Sequence, residues 1–417
     1  MGQHIRFIWI ACRDSLWFIP MVIALLAAGL AVALVSLERL GIINAGDRLV
    51  WLAGSTGEGA RSVLSAIGTS VVTVTGTVFS IMIVALQLSS SQFSPRQLRN
   101  FTSDRANQVV LGLLIGTFTY TLIVMSMIRS ASPSSAPSSA PFVPQIAIAL
   151  GIVLALVSVG LIIYFIDHAS RSMQIAVILQ QVTHRANEQI EQAFAPLDEP
   201  RAEPDAYVGE ALDKNGYPLC TQRGGYLQAV DRKGLLRLAH KQSLVVRVEH
   251  RTGSFILPGD PIASIWPAEA VDATVMAELR KKFILGSDRT PEQDIEYWLI
   301  EMADIAIKAL SPSINDPTTA FRAIDRLCET LVFLGQRKPC WTHCGDDGKI
   351  RLIERPLTFE LAVGLAFEQI HHFGQTNPSV LKKLADSVNA LIKRVPHDER
   401  VALIRYSRLP DDIALKH

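Results

Sequence analysis

Four stretches of this chain, residues 16–37, 63–88, 109–128 and 146–166, are mostly apolar and carry no charge in their interiors. A bilayer core of about 30 Å takes about 20 such residues as helix, because no backbone polar group can stay unpaired in hydrocarbon. One such run fits a buried core helix equally well; four in succession read as a polytopic α-helical membrane protein with four transmembrane helices. Charge follows the same division, being nearly confined to short loops between Leu16 and Phe165 and dense beyond Asp167. The expected layout is a transmembrane domain over residues 1–170, a helical extension and linker over 171–204, a small β-rich module over 205–270 and a helical bundle over 271–417.

Lysine and arginine in short loops set orientation, since positive flanks stay on the cytoplasmic side. Arg6 and Arg13 precede the first span, Arg96, Arg99 and Arg105 lie between the second and third, and Arg171 and Arg185 follow the fourth. The opposite loops mix Glu38, Asp47 and Glu58 with Arg39, Arg48 and Arg61, or consist of a Ser-Ala-Pro connector after Arg129. Both termini, and the large α+β domain behind the spans, are therefore expected in the cytoplasm. Residues 7–10 are apolar but run into Arg13 and Asp14 with no small-residue cleavage site, so the first span is expected to act as the insertion signal. The formal net charge of +1 gives no reason to expect a nucleic-acid partner, and an odd 5 cysteines argue against a disulfide framework.

The second span differs from the others. Ser65, Thr69, Thr73 and Thr77 recur every four residues, with Ser70, Thr75, Ser80 and Gln87 nearby, which places a polar stripe on one helix face. Gly68 and Gly76 add small residues that admit another backbone. Two readings fit: tight helix packing with hydroxyls bonded back to their own carbonyls, or an aqueous path lined in an oligomer by Ser65, Thr69, Thr73, Thr77, Ser80 and Gln87. Beyond it, Ser94 before Pro95 predicts a short surface helix whose arginines meet lipid phosphates. Repeated by symmetry, Arg96, Arg99 and Arg105 would instead surround a cytoplasmic mouth that attracts anions. Gly112 and Gly116 mark the third span as a close-packing helix.

After Asp167 the helical pattern continues to about Phe194, as if the fourth span extended into solvent, and a Pro- and acid-rich linker follows from Pro196 to Pro204. Residues 226–230 and 244–250 alternate as strands around a helix over 234–241, and a strand, a turn at Gly259 and another strand follow, together suggesting a small half-barrel. The turn is similar to the corner of biotinyl and lipoyl carrier domains and of the C-terminal regulatory modules of potassium channels and transporters. No lysine stands at its tip, which excludes the carrier role. Thr290, Pro291 and Gln293 predict a capping box opening a helix over 291–310, Asp316 precedes the next helix to about residue 334, and three more cover 358–373, 378–395 and 398–409.

Asp294, Glu296, Glu301 and Asp304 share one of these helices, and Arg322, Asp325 and Arg326 the next. Ordinary salt bridges between neighbours account for them, or a cytosolic ligand or ion site using Asp304, Asp316, Arg322 and Asp325. Cys340, His343 and Cys344 with His371 and His372 lack a second cysteine pair, so no metal is expected. No phosphate-binding loop, dinucleotide signature, metalloprotease helix or nucleophile elbow is present, and neither catalysis nor a cofactor is expected.

Several strings coincide with one family: Thr75-Gly-Thr-Val-Phe-Ser-Ile, the run from Val84 through Gln87 to Arg96, Asp104-Arg-Ala-Asn-Gln-Val-Val-Leu-Gly112, Gly116-Thr-Phe-Thr-Tyr120 and Ala309-Leu-Ser-Pro-Ser-Ile-Asn-Asp-Pro-Thr-Thr-Ala320. Over nearly its whole length the chain resembles the bacterial predicted membrane proteins catalogued as domain of unknown function 2254. Ser313 stands where glycine is expected. The resemblance implies a bacterial inner-membrane location and supplies no activity. Two functions stay open: an oligomeric channel or channel-like pore, lined by the second span and regulated by the cytoplasmic domain, or a non-conducting scaffold or sensor. The expected partners are the lipid bilayer, further copies of the chain, and an ion or small cytosolic ligand.

Overall fold

The computed structural model describes residues 15–43, 57–92, 104–129, 142–197 and 212–407, and the chain divides into two units, Met1–Gln174 and Ile175–His417. The first unit holds four helices, α1 (Phe18–Arg39), α2 (Gly57–Gln92), α3 (Arg105–Met127) and α4 (Gln145–Ser172), each long and apolar enough to cross a membrane. Half of the apolar window of α3 is buried against 17–22% in the other three, so α3 is the central helix.

Glycine explains how closely α1 approaches it. A Cβ on Gly112 would lie 2.6 Å from Ile23 Cδ1 and 3.1 Å from Pro20 Cα, and one on Gly116 would lie 3.3 Å from Ile23 Cγ2. Leu64, Tyr120, Val124 and Ile148 form one core cluster, and Val78, Met82, Leu114 and Phe165 another. Charged groups sit where they satisfy helix ends. Pro144 offers α4 no side-chain cap, and Glu38 Oε1 accepts from Ala147 N at 2.7 Å instead. Arg61 donates to the carbonyl of Ile128 at 2.7 Å, just past the end of α3. At the other end Asp104 caps α3, accepting from Ala106 N at 2.9 Å, so that helix starts four residues before the expected span.

The expected extension of the fourth span takes a different form. Helix α4 ends at Ser172, and α5 (Ile175–Ala193) is a separate amphipathic helix of the second unit, burying Ile178, Leu179, Val182, Ala186 and Ile190. Where the linker was expected to begin, β1 (Phe194–Pro196) instead pairs antiparallel with β8 (Arg337–Pro339). The remainder of the expected linker, from residue 198, lies outside the described residues.

Two further sheets follow. One has the order β2 (Tyr217–Cys220), β6 (Pro261–Trp266), β4 (Val245–Val248), β10 (Ile350–Ile353), β9 (Thr342–Cys344), and the other β5 (Phe255–Ile256), β3 (Gly225–Val230), β7 (Phe283–Gly286). Strand β10 pairs parallel to β4 and the other neighbours are antiparallel. It comes from the stretch expected to be wholly helical, so the β-rich part and the helices share one sheet. Leu227, Val246, Ile265 and Leu352 meet Leu235 of α6 (Arg232–Lys241) and Leu279 of α7 (Ala273–Arg280) in its core.

The helical part comprises α8 (Ile295–Ala309), α9 (Pro317–Gly335), α10 (Phe359–Gly374), α11 (Pro378–Ile392) and α12 (Val401–Ser407). Helix α8 packs on α5, α9 and α10. It starts at Ile295 rather than Pro291, because Asp294 supplies the cap, accepting from Tyr297 N at 3.0 Å. Gln293 is drawn away instead, its Oε1 accepting from Val230 N at 3.0 Å. Asp316 and Asn377 cap the helices that follow them, and Thr358, expected as the first residue of its helix, caps it instead.

Candidate functional site

At about 100° per residue, α2 places Ser65, Thr69, Thr73, Thr77, Ser80 and Gln87 within an arc of about 120°. All six are exposed. The residues that α2 buries, Leu64, Val71, Val78, Met82 and Ala85, centre about 180° away, so the polar face is directed outward from the four-helix unit. Glu58, Ser62 and Gly76 are exposed on the same arc. A Cβ at Gly76 would meet nothing within 4 Å, whereas one at Gly68 would lie 3.4 Å from Thr121 Oγ1 on α3. From Ser65 to Gln87 the stripe rises about 33 Å, the thickness of a bilayer core.

Two threonines of this stripe bond back to their own helix. Thr73 Oγ1 donates to the Thr69 carbonyl at 2.9 Å, Thr77 Oγ1 to that of Thr73 at 3.2 Å, and neighbouring Thr75 Oγ1 to that of Val71 at 2.6 Å. Arg105 is exposed in the first turn of α3; Arg96, Arg99 and the expected surface helix lie outside the described residues. Next to Arg105 is a pair not foreseen from sequence. Asp104 Oδ2 lies 2.7 Å from His168 Nε2 on α4, the ring of Tyr164 stacks on His168, and Asn107 and Gln108 are buried on the following turn.

The second unit contains a polar cleft of about 350 Å³. Glu191 and Phe194 line it, with Arg232 at the start of α6, residues 250–252 between β4 and β5, residues 293–296 at the start of α8, His343 on β9, and residues 354–357 after β10. Its carboxylates other than Glu191 are held by cations. Arg232 Nε donates to both oxygens of Glu354 at 2.9 and 2.8 Å, and His343 Nε2 lies 2.8 Å from the same group. Arg251 Nε donates to Glu296 at 2.5 Å, and Arg289 reaches both Asp294 and Glu296. Arg355 donates to Glu249 at 2.9 Å.

Burial works against the charge on Glu354, but the bonds from His343 and Arg232 outweigh it and hold the carboxyl below its ordinary range. For Asp294 burial prevails over Arg289 and pushes the carboxyl up. Sequence spacing gives little sign of this cleft, since Arg232 and Glu354 are 122 residues apart.

The four predicted ligand residues do not line it. Asp316 caps α9, and its bond from the Thr319 hydroxyl at 2.6 Å holds its carboxyl below the usual range. Asp325 pairs with Lys383 at 2.5 Å, Arg322 is exposed, and Asp304 is half-buried on α8. The weighed zinc set is likewise dispersed: His343 bonds to Glu354 while His371 packs its ring on Tyr406. Among the described residues no group of three His, Cys, Asp or Glu side chains is arranged to hold a metal ion.

A family model described as "Predicted membrane protein (DUF2254)" matches residues 13–390. Uncharacterized proteins of Mycobacterium bovis and Mycobacterium tuberculosis are each 28% identical to it over 399 residues, covering 94% of this chain and 74% of theirs. No solved structure matches the chain.

Proposed function

The chain belongs to the family of predicted membrane proteins termed domain of unknown function 2254, and we propose that its copies assemble in a bacterial inner membrane as a channel or channel-like pore lined by the outward face of α2. The observation that carries this reading is the position of the polar stripe, opposite the buried face of α2 and as long as a bilayer core is thick. Facing lipid, those polar groups would give the helix nothing; facing its symmetry mates, they supply hydroxyls and an amide along one side of the helix, with Ile83 and Val84 between Ser80 and Gln87. The open space at Gly76 allows a neighbouring backbone to approach there. In this reading both termini are cytoplasmic, the second unit regulates the path, and the protein performs no catalysis.

Planar-bilayer recording from purified protein tests it. The reading predicts a conductance that falls in Thr73→Leu and Thr77→Leu. Silence under every voltage, tension and salt condition, or currents unchanged by both substitutions, would overturn it.

A second reading is a membrane-anchored sensor whose spans only anchor and assemble it. The back-bonding of Thr73 and Thr77 favours this, because hydroxyls satisfied within the helix need no water. Assembly without conductance selects this reading.

A further inference from the structure

We propose that the cleft of the second unit binds a small phosphate ester, recognised by Arg232, Arg251, Arg355 and His250. The cleft lies wholly within the second unit, so the proposal is independent of whether the membrane helices conduct.

The charges around the cleft nearly balance, but the hydrogen-bonding capacity does not. Each oxygen of Glu354 and Glu296 already accepts from an arginine or lies against an imidazole. The arginines are far from saturated, since a guanidinium offers five N–H donors in a fixed fork. Arg232 and Arg251 commit only Nε, and Arg355 only one terminal nitrogen, to the carboxylates that orient them. Their other donors have no partner among the described residues, and His250 makes no hydrogen bond there. Every oxygen of these two carboxylates thus has a partner in the wall itself, while about a dozen N–H donors of the three arginines have none among the described residues. An acceptor-rich, anionic guest satisfies that surplus; a cationic one finds no free carboxylate except Glu191 at the exposed rim.

These donors come from separate chain segments: the start of α6, the β4–β5 connection and the residues after β10. Donors converging from several directions suit a tetrahedral phosphate, which accepts on each side, better than a planar carboxylate. The carboxylate behind each arginine fixes its fork in advance, which lowers the entropy lost on binding. A cavity of about 350 Å³ admits a metabolite-sized ester and excludes a polymer. The phosphate could belong to a soluble metabolite or to a lipid headgroup.

Full-length protein in detergent micelles should be titrated by calorimetry with glycerol 3-phosphate, inorganic phosphate and short-chain phosphatidic acid, using glycerol at matched ionic strength as the neutral control. We expect saturable binding of glycerol 3-phosphate or of phosphatidic acid, the first outcome marking a soluble ligand and the second a headgroup. Arg355→Gln, at a half-exposed side chain whose partner Glu249 still accepts from Arg247 and Ser264, should weaken that binding at least tenfold, and His250→Asn should weaken it less. Lys383→Gln removes a cation elsewhere in the unit and should leave it unchanged. No saturable binding of any phosphate compound, equal binding of glycerol, or an equal affinity in Arg355→Gln would overturn the proposal.

Discussion

Replacing Glu354 with glutamine keeps the size of the side chain and removes the charge that holds Arg232 and His343. Glu354 is 13% exposed, Arg232 37% and His343 27%, so the group is mostly but not wholly withdrawn from water. Breaking a fully buried pair costs about 3–5 kcal/mol, and the remaining solvent around Arg232 reduces this to about 2–3 kcal/mol. For a unit of this size that is a fall of roughly 4–12 °C in melting temperature. The sign of the pH dependence follows from the depressed carboxyl of Glu354. Its contribution is complete above the ordinary carboxylate range, near pH 4.3, and disappears as pH falls through the lower value of the folded state. Thermal melts of the full chain in detergent, followed by tryptophan fluorescence, should therefore show a constant gap between wild type and Glu354→Gln from pH 8 to 6 that closes under acid. A gap below 1 °C at pH 7, or one that widens on acidification, would refute the reasoning.

Other substitutions probe separate parts of the account. Asp294→Asn keeps a cap for α8 but loses the charge paired with Arg289, and Asp294→Ala loses both, so the alanine should cost about 1–2 kcal/mol more than the asparagine in the same melts; equal losses would remove the capping role. Asp316→Ala should lower stability by about 1 kcal/mol through loss of the α9 cap, and phosphate-ester titrations should not change. Gly112→Val drives methyl groups into Ile23 and the backbone of Pro20; by overpacking it should destabilise the membrane unit by about 1–3 kcal/mol. Gly76→Leu has open space within one chain and should instead reduce the oligomer population on gel filtration at an unchanged melting temperature. Retained assembly in that variant would place the subunit contact elsewhere.

The spans were legible because hydrocarbon leaves the backbone a single solution, and the close packing of Gly112 and Gly116 followed from residue size alone. Local capping was legible where nothing competed, as at Asp316 and Asn377. It misled at Thr290, because a distant strand claims Gln293 through Val230. Strand β10 was invisible for a similar reason: four residues paired in parallel to β4 carry no local signal. The polar stripe on α2 could be read as a period, but a period does not say whether its face turns toward α3 or away from it. The cleft depends on pairs such as Arg232 with Glu354 that only the fold brings together.

The wetness of that outward face is the quantity on which the account turns. In a background lacking the 5 native cysteines, single cysteines at Thr69, Thr73, Thr77 and Ser80 should be exposed to a charged, membrane-impermeant thiol reagent in sealed vesicles, with Leu156→Cys on the exposed face of α4 as the lipid control. The account predicts fast modification along the stripe and slow modification at Leu156. Stripe cysteines no more reactive than Leu156→Cys would contradict it.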